Sequence, residues 1–511
     1  MLIKLIKNNK FLLIFIFVHL IFFGINYSEW GDSYRILRAS EFIRNLTYPE
    51  DEKRQPLYSL LLALRPGSVD QIFWGRFIMF WISILSFLVF TKILSLYNLD
   101  NRTKNIALVL LIFNPVLLYW SIRIMADMFF TLIVLLTFYV YQRYKYVLNN
   151  KILFLLGFLA SLGILIRFEG YILAFCIGIG FIYDRYINKE KAIDIAKMYI
   201  VYGAGIFIFV FPWLIYRNPL TSKYFDEPSG RKYDLEMLAI YINSLLYIFG
   251  FTSAGIFLSG EVKKIKNVLL KNPAIFLFVI LELILALVWP AAIPRLLVPI
   301  IPFMIITVSI TVTKFFANSI KIKMKEVAVL LLLLILYISS QYLLKLQFLV
   351  PIKNFFILII FIQFFNIYAI YKKRFNLFFV SLIFSTVIWS FSTIYLHKDI
   401  FKAIVEANIY IVKNINGKIA YNDVSSVSDW YMNQKSQKDN ITGFYLNMDS
   451  KKNRSYDTLL KRNADYILIT NEHNPDLEFD VVEGGYLSQV KEFSYTIRGK
   501  KFFTKIVKFN K

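Results

Sequence analysis

Long apolar runs alternate with short charged segments from about residue 10 to residue 396. Each run approaches the ~20 residues that an α-helix needs to cross the hydrocarbon core of a bilayer. By that criterion about thirteen spans are expected. They fall at 10–26, 72–95, 105–121, 124–142, 152–167, 169–187, 196–216, 237–258, 274–290, 295–316, 327–346, 354–371 and 376–396. From His397 the pattern changes. Lys418–Tyr421, Ile441–Leu446 and Tyr466–Thr470 are apolar runs of strand length with helical patterns between them. The segment from Phe493 to Phe509 reads as a hairpin turning near Arg498-Gly499-Lys500. The expected fold is an all-α polytopic membrane domain over 1–396, with a long first loop at 26–70. A small α/β or α+β domain over 397–511 follows it.

Composition agrees with the pattern. The chain is 58% hydrophobic, a load that soluble domains do not sustain. A net charge of +24 would suggest nucleic acid on a soluble protein. Here the basic residues recur in every second turn, as at Lys4, Lys7 and Lys10, Arg102 and Lys104, or Lys372, Lys373 and Arg374. That is the positive-inside bias, and it also suits an anionic inner leaflet. Nucleic acid is therefore rejected as a partner, and membrane lipids are expected instead. The bias puts the N-terminus inside and, with an odd number of spans, the tail outside the cytoplasm. The first apolar run also resembles a signal peptide, but it shows no clear small-x-small cleavage site, so an uncleaved span is expected. The one cysteine, Cys176, excludes an intrachain disulfide and a cysteine-based metal site. The three histidines stand far apart, and no metal-ligand spacing is visible.

Orientation sorts the candidate chemistry. The first outer loop carries Asp32 beside Gly31, just after a span. The plain reading of Asp32 is a solvated loop acid or a helix cap; the sharper one is an acid facing a cavity at the membrane surface. Arg123 and Asp127 follow in the second outer turn; four residues apart, they would share a helix face and could simply pair. The third outer turn is Arg167-Phe168-Glu169-Gly170, an interfacial cap on the plain reading. Charges at membrane depth are costly, however, and usually face a bundle interior or a cavity. Arg295 enters a span after Pro294; snorkelling to the interface is its ordinary explanation. Glu282 lies mid-span, is expected to make an internal hydrogen bond, and is assigned no role. The planar fork of Arg suits phosphate, and a carboxylate beside a hydroxyl can act as a general base.

In order, these pieces resemble the GT-C superfamily of integral-membrane glycosyltransferases that use polyprenyl-phosphate sugars, nearest the protein mannosyltransferase and aminoarabinose transferase group. The resemblance covers roughly the first 300 residues. It is carried by Gly31-Asp32-Ser33, Gln55-Pro56-Leu57-Tyr58, Asn114-Pro115 with the following Asp127, Arg167-Phe168-Glu169-Gly170, Pro212-Trp213 and Pro294-Arg295 with Pro299. Ser33 stands where the family often has a second acid, Gln55-Pro56 replaces the usual Pro-Pro, and Phe168 replaces the usual proline of the Arg-Pro-Glu turn.

The resemblance implies sugar transfer from a polyprenyl-phosphate donor to a protein, lipid or glycan hydroxyl at the outer membrane face, with inversion. It implies Asp32 as the general base or acceptor-orienting group and Asp127 as its support. Arg167 and Arg295 would hold the lipid phosphate, with Arg123 and Glu169 in the same binding set. No cofactor is evident; the group admits a divalent metal, but no ligand set is visible in this sequence. Two other classes compete. A flippase for lipid-linked glycans predicts inverted repeats and mid-span breaks in both halves, neither of which is clear here. A non-catalytic glycolipid-binding scaffold predicts an Asp32 turned away from the cavity.

Overall fold

A computed structural model describes residues 2–187, 191–217, 272–289, 294–317, 353–423, 426–435, 441–446, 461–472, 487–497 and 500–509, with scattered positions between 238 and 335 and at 459. The chain forms two compact units. The first holds 1–23, 53–58 and 76–394; the second holds 24–52, 59–75 and 395–511.

The first unit is helical. Its described helices are α1 (Leu2–Ile21), most of α4 (Gln71–Leu96), α5 (Asn101–Ile112), α6 (Pro115–Ser121), α7 (Ala126–Tyr144), α8 (Asn150–Ile166), α9 (Gly170–Ile187), α10 (Ala192–Tyr216), α11 (Pro273–Val288), α12 (Ile301–Ala317), α13 (Lys353–Tyr371) and most of α14 (Phe375–His397). Among the described residues four helical runs are long and apolar enough to span a bilayer: Gln71–Leu96, Gly170–Ile187, Ala192–Tyr216 and the run that begins at Phe375. A fifth is counted if α5 and α6 are one span. Among the described residues four or five such spans are found, so the thirteen expected are not confirmed. Shorter apolar helices occupy several of the other places, such as Asn150–Ile166 and Ile301–Ala317. The expected spans 237–258 and 327–346 lie largely outside the described residues.

The span expected at 105–121 is broken for a local reason. Asn114 Oδ1 accepts the Val116 and Leu117 N–H groups at 3.1 and 2.9 Å, and Pro115 has no N–H to offer the preceding turn. A new helix starts there, bent by 49° from the one before. Close helix packing also has a local cause. A Cβ on Gly157 of α8 would lie 2.2 Å from the Tyr202 carbonyl oxygen of α10, so only glycine permits this crossing.

The second unit is built on a five-stranded sheet. Its strands are β1 (Gly417–Tyr421), β2 (Ile441–Tyr445), β3 (Tyr466–Thr470), β4 (Leu487–Ile497) and β5 (Lys500–Phe509), in the order β2-β1-β3-β5-β4. β1 is parallel to both neighbours; β5 is antiparallel to β3 and β4. The three expected strands are all present. The expected hairpin is present too, with its first strand starting at Leu487 and residues 498 and 499 outside the described set.

Alternation along β1 explains the two faces of the sheet. Ile419 and Tyr421 pack with Ile411, Ile415, Leu468 and Ile506, whereas Ala420 packs with Ile467, Ile469 and Val507. The helix α15 (Lys402–Asn414) supplies Ala407 and Ile411 to the first face, four residues apart on one stripe. The same unit includes α2 (Gly31–Arg44) and most of α3 (Leu57–Ala63), short helices from the first loop.

Candidate substrate site

The turn between α8 and α9 is made by four residues. Arg167 leaves the helix in an extended conformation, and its N–H bonds back to the Gly163 carbonyl at 3.0 Å. The Gly170 N–H then donates to the Arg167 carbonyl at 3.0 Å. Gly170 is required by contact: a Cβ there would sit 2.2 Å from the Gly163 carbonyl carbon. The tightness of this turn holds the Arg167 side chain at the end of α8.

That side chain is held between two carboxylates. Nη1 donates to Asp127 Oδ1 at 2.6 Å, Nε donates to Glu169 Oε1 at 2.9 Å, and Nη2 donates to the same Glu169 oxygen. Asp127 occupies the first turn of α7, where the helix dipole favours an acid. It is 1% exposed, and its second oxygen, Oδ2, has no hydrogen-bond partner among the described residues.

Arg123 and Asp127 do not share a helix face, contrary to one sequence expectation. α6 ends at Ser121 and α7 begins at Ala126, so Arg123 lies in the bend between them. Asp127 pairs with Arg167 instead, forty positions along the chain. The Arg123 guanidinium is buried 4.7 Å from the Tyr119 ring centre. Tyr119 meets Trp120 edge-on at 4.9 Å, and the Arg295 guanidinium lies 6.0 Å from Trp120. Two cations thus lie against one aromatic pair, an arrangement favoured by ring quadrupoles. Arg295 comes from the 3-10 turn Pro294–Leu297 and is within electrostatic reach of Glu169.

One acid without a sequence-assigned role joins the group. Glu282 of α11 is 2% exposed and within electrostatic reach of Glu169 and Arg167. Its Oε1 has no hydrogen-bond partner among the described residues, so the expected internal hydrogen bond is not found at that oxygen. The signal was present in the sequence: a lone acid inside an apolar run is a functional candidate by default.

Asp32 belongs to the second unit. It is half-buried in the first turn of α2, a position in which an acid complements the helix dipole. Among the described residues no group of three or more His, Cys, Asp or Glu side chains is placed to hold a metal ion.

No family model and no curated protein matches the chain. Solved structures do match. ArnT from Cupriavidus metallidurans bound to undecaprenyl phosphate aligns with a TM-score of 0.61 and 9% identity, covering 97% of both chains. The same protein in the apo state aligns with a TM-score of 0.60 and 9% identity, again covering 97% of both chains. At this identity the likeness concerns the fold. The chain has an ArnT-like fold.

Proposed function

We propose that this protein transfers a sugar from a polyprenyl-phosphate donor to an acceptor hydroxyl at the outer face of the cytoplasmic membrane. The observation that carries the reading is the buried Arg167 held by Asp127 and Glu169, beside Arg123 and Arg295, in the fold of a protein that binds undecaprenyl phosphate. The planar guanidinium forks of Arg123, Arg167 and Arg295 suit an anionic group such as phosphate.

The chemistry follows from these groups. The acceptor oxygen attacks the anomeric carbon from the side opposite the phosphate. A new C–O bond forms as the bond to the phosphate oxygen breaks, and the electron pair leaves with the phosphate. A single displacement of this kind inverts the anomeric centre. Arg295 and Arg167 stabilise the charge on the departing phosphate, and fixed positive groups do this without reorganisation. The acceptor proton passes to a carboxylate. Asp32 takes that role, and Asp127, with Oδ1 fixed on Arg167 and Oδ2 left to accept, orients the sugar or acceptor. The sugar transferred is a hexose or a pentose.

The test uses purified wild type, Asp32→Asn and Asp127→Asn with a panel of radiolabelled polyprenyl-phosphate sugars and membrane extract as acceptor. Transfer by wild type, a loss of roughly a hundredfold or more in Asp32→Asn and retained donor binding are expected. Equal transfer by wild type and Asp32→Asn removes Asp32 from the mechanism. The product's anomeric configuration, read by NMR, checks inversion. Labelling of single cysteines placed in the sheet unit of intact cells checks the outer location.

A further inference from the structure

The sheet of the second unit reverses its strand order beside β1: the chain passes from β1 to β2 on one side and then to β3 on the other. Open sheets commonly bind ligands outside the carboxyl ends of strands at such a point. Here that place is filled by the chain's own segments. Asn422, after β1, and Thr470, at the end of β3, exchange hydrogen bonds of 2.9 and 2.8 Å that tie the two strand ends together. Asp423 Oδ2 accepts the Ser428 N–H at 2.8 Å. Glu472 Oε1 accepts the Ile404 N–H at 3.2 Å, and its Oε2 accepts the Tyr495 hydroxyl at 2.8 Å. Two segments, around 401–405 and 426–431, are thereby fixed to the strand ends.

Both segments close on α2. Phe401, Ile404, Val405, Val427, Trp430 and Tyr431 form one apolar cluster with Tyr34, which is 1% exposed. The Tyr34 ring lies 5.3 Å from Trp430, and its hydroxyl meets Ser28 Oγ at 2.8 Å. Arg35 Nε donates to Ser426 Oγ at 2.8 Å, and Arg38 Nη1 donates to Asp429 Oδ2 at 3.3 Å. Phe401 and Ser426 both adopt left-handed backbone angles, φ 61° and 64°, a conformation that persists only where the surroundings impose it. Tyr34 and Arg38 stand four positions apart on one face of α2, whereas Asp32 lies about 200° round the helix from Tyr34.

We propose that the C-terminal sheet domain is a clasp that sets the position of the Asp32 helix, with Tyr34, Arg35 and Arg38 as its positioning residues. Its bearing on transfer rests on the reading of Asp32 given above. The clasp itself is separable, because it concerns how firmly α2 is held.

The experiment uses the full chain in nanodiscs. Hydrogen exchange of residues 31–44 is followed in wild type, Asp429→Arg, the charge swap Arg38→Glu with Asp429→Arg, and the milder Ser426→Ala. Exchange of β1 and β3 in the same samples reports that the sheet has folded. Asp429→Arg is expected to speed exchange of α2 and to lower kcat, each by roughly tenfold, with KM for the lipid donor unchanged. The charge swap is expected to restore part of both, because Arg38→Glu also faces the Asp51 carboxylate, and Ser426→Ala to give a smaller change in the same direction as Asp429→Arg. Unchanged exchange of α2 in Asp429→Arg and Ser426→Ala, with the sheet protected, overturns the clasp. A loosened α2 with normal kcat, in a protein that Asp32→Asn inactivates, overturns its role in positioning. Normal transfer by Asp32→Asn would defeat the general-base reading alone, and α2 exchange would still decide the clasp.

Discussion

Arg167 in the helical unit and Arg38 in the sheet unit are each held between two carboxylates, yet the surroundings differ. The partners of Arg167, Asp127 and Glu169, have side chains 1% and 9% exposed. Those of Arg38, Asp51 and Asp429, are 70% and 24% exposed. An ion pair taken out of water gains strong attraction only by losing hydration, and replacing it with apolar groups often costs nothing. Stability is therefore a poor reason for the Arg167 group to exist; the oriented charge it offers a ligand is a better one. The Arg38 group keeps water on one side and contributes little as a charge pair. Its use is geometric, since it fixes which face of α2 meets the 426–431 segment.

The largest break in that comparison comes from Arg167→Met. It leaves two buried carboxylates without their cation, and a loss of about 3–5 kcal/mol is expected in detergent unfolding measurements, together with loss of transfer. Adding Asp127→Asn and Glu169→Gln to the same protein is expected to recover most of the stability and none of the transfer. Recovery of both would mean the cluster is structural.

A second effect belongs to the sheet unit. Burial pushes the Glu472 carboxyl up from 4.5 to about 8, with Asp423 adding to the rise and the Tyr495 hydroxyl and Ile404 N–H opposing it. Between those two values the folded chain binds this proton more tightly than the unfolded chain. Stability therefore falls as pH rises from about 4.5 to about 8, then levels off. Glu472→Gln is expected to flatten that slope and to raise the unfolding temperature at pH 9 more than at pH 5. An unchanged slope would mean that Glu472 carries no such charge penalty.

The smallest change is expected from Asp51→Asn. Its exposed partnership with Arg38 is worth ~0–1 kcal/mol and fades with salt. A larger, salt-insensitive loss in chemical denaturation would show the two arginine groups to be more alike than their exposure implies.

Much of the fold was legible because its causes are local. The apolar runs that became Gln71–Leu96 and Ala192–Tyr216 needed only length and hydropathy. The strands Gly417–Tyr421 and Tyr466–Thr470 were visible as short apolar runs between polar turns. The break at Asn114-Pro115 was equally local, but a window that averages hydropathy over a whole span passes across it. The candidate site was less legible. Arg167 and Glu169 stand in one turn, so their pairing follows from spacing. The Arg167–Asp127 pair does not: it needs the start of α7 to meet the end of α8, and Arg123, nearer in sequence, was the competing partner.

Sequence alone determined where apolar chain must be shielded from water, where the helix breaks are, and which turn concentrates charge, because each depends on a few consecutive residues. Only the tertiary structure decided that Arg295 lies near Trp120, that Glu282 comes within electrostatic reach of Arg167, and that Tyr34 of the first loop is enclosed by Phe401, Trp430 and Tyr431. Coulomb attraction and ring packing act over a few ångströms of space. Residues hundreds of positions apart come within that range only when the elements carrying them have packed.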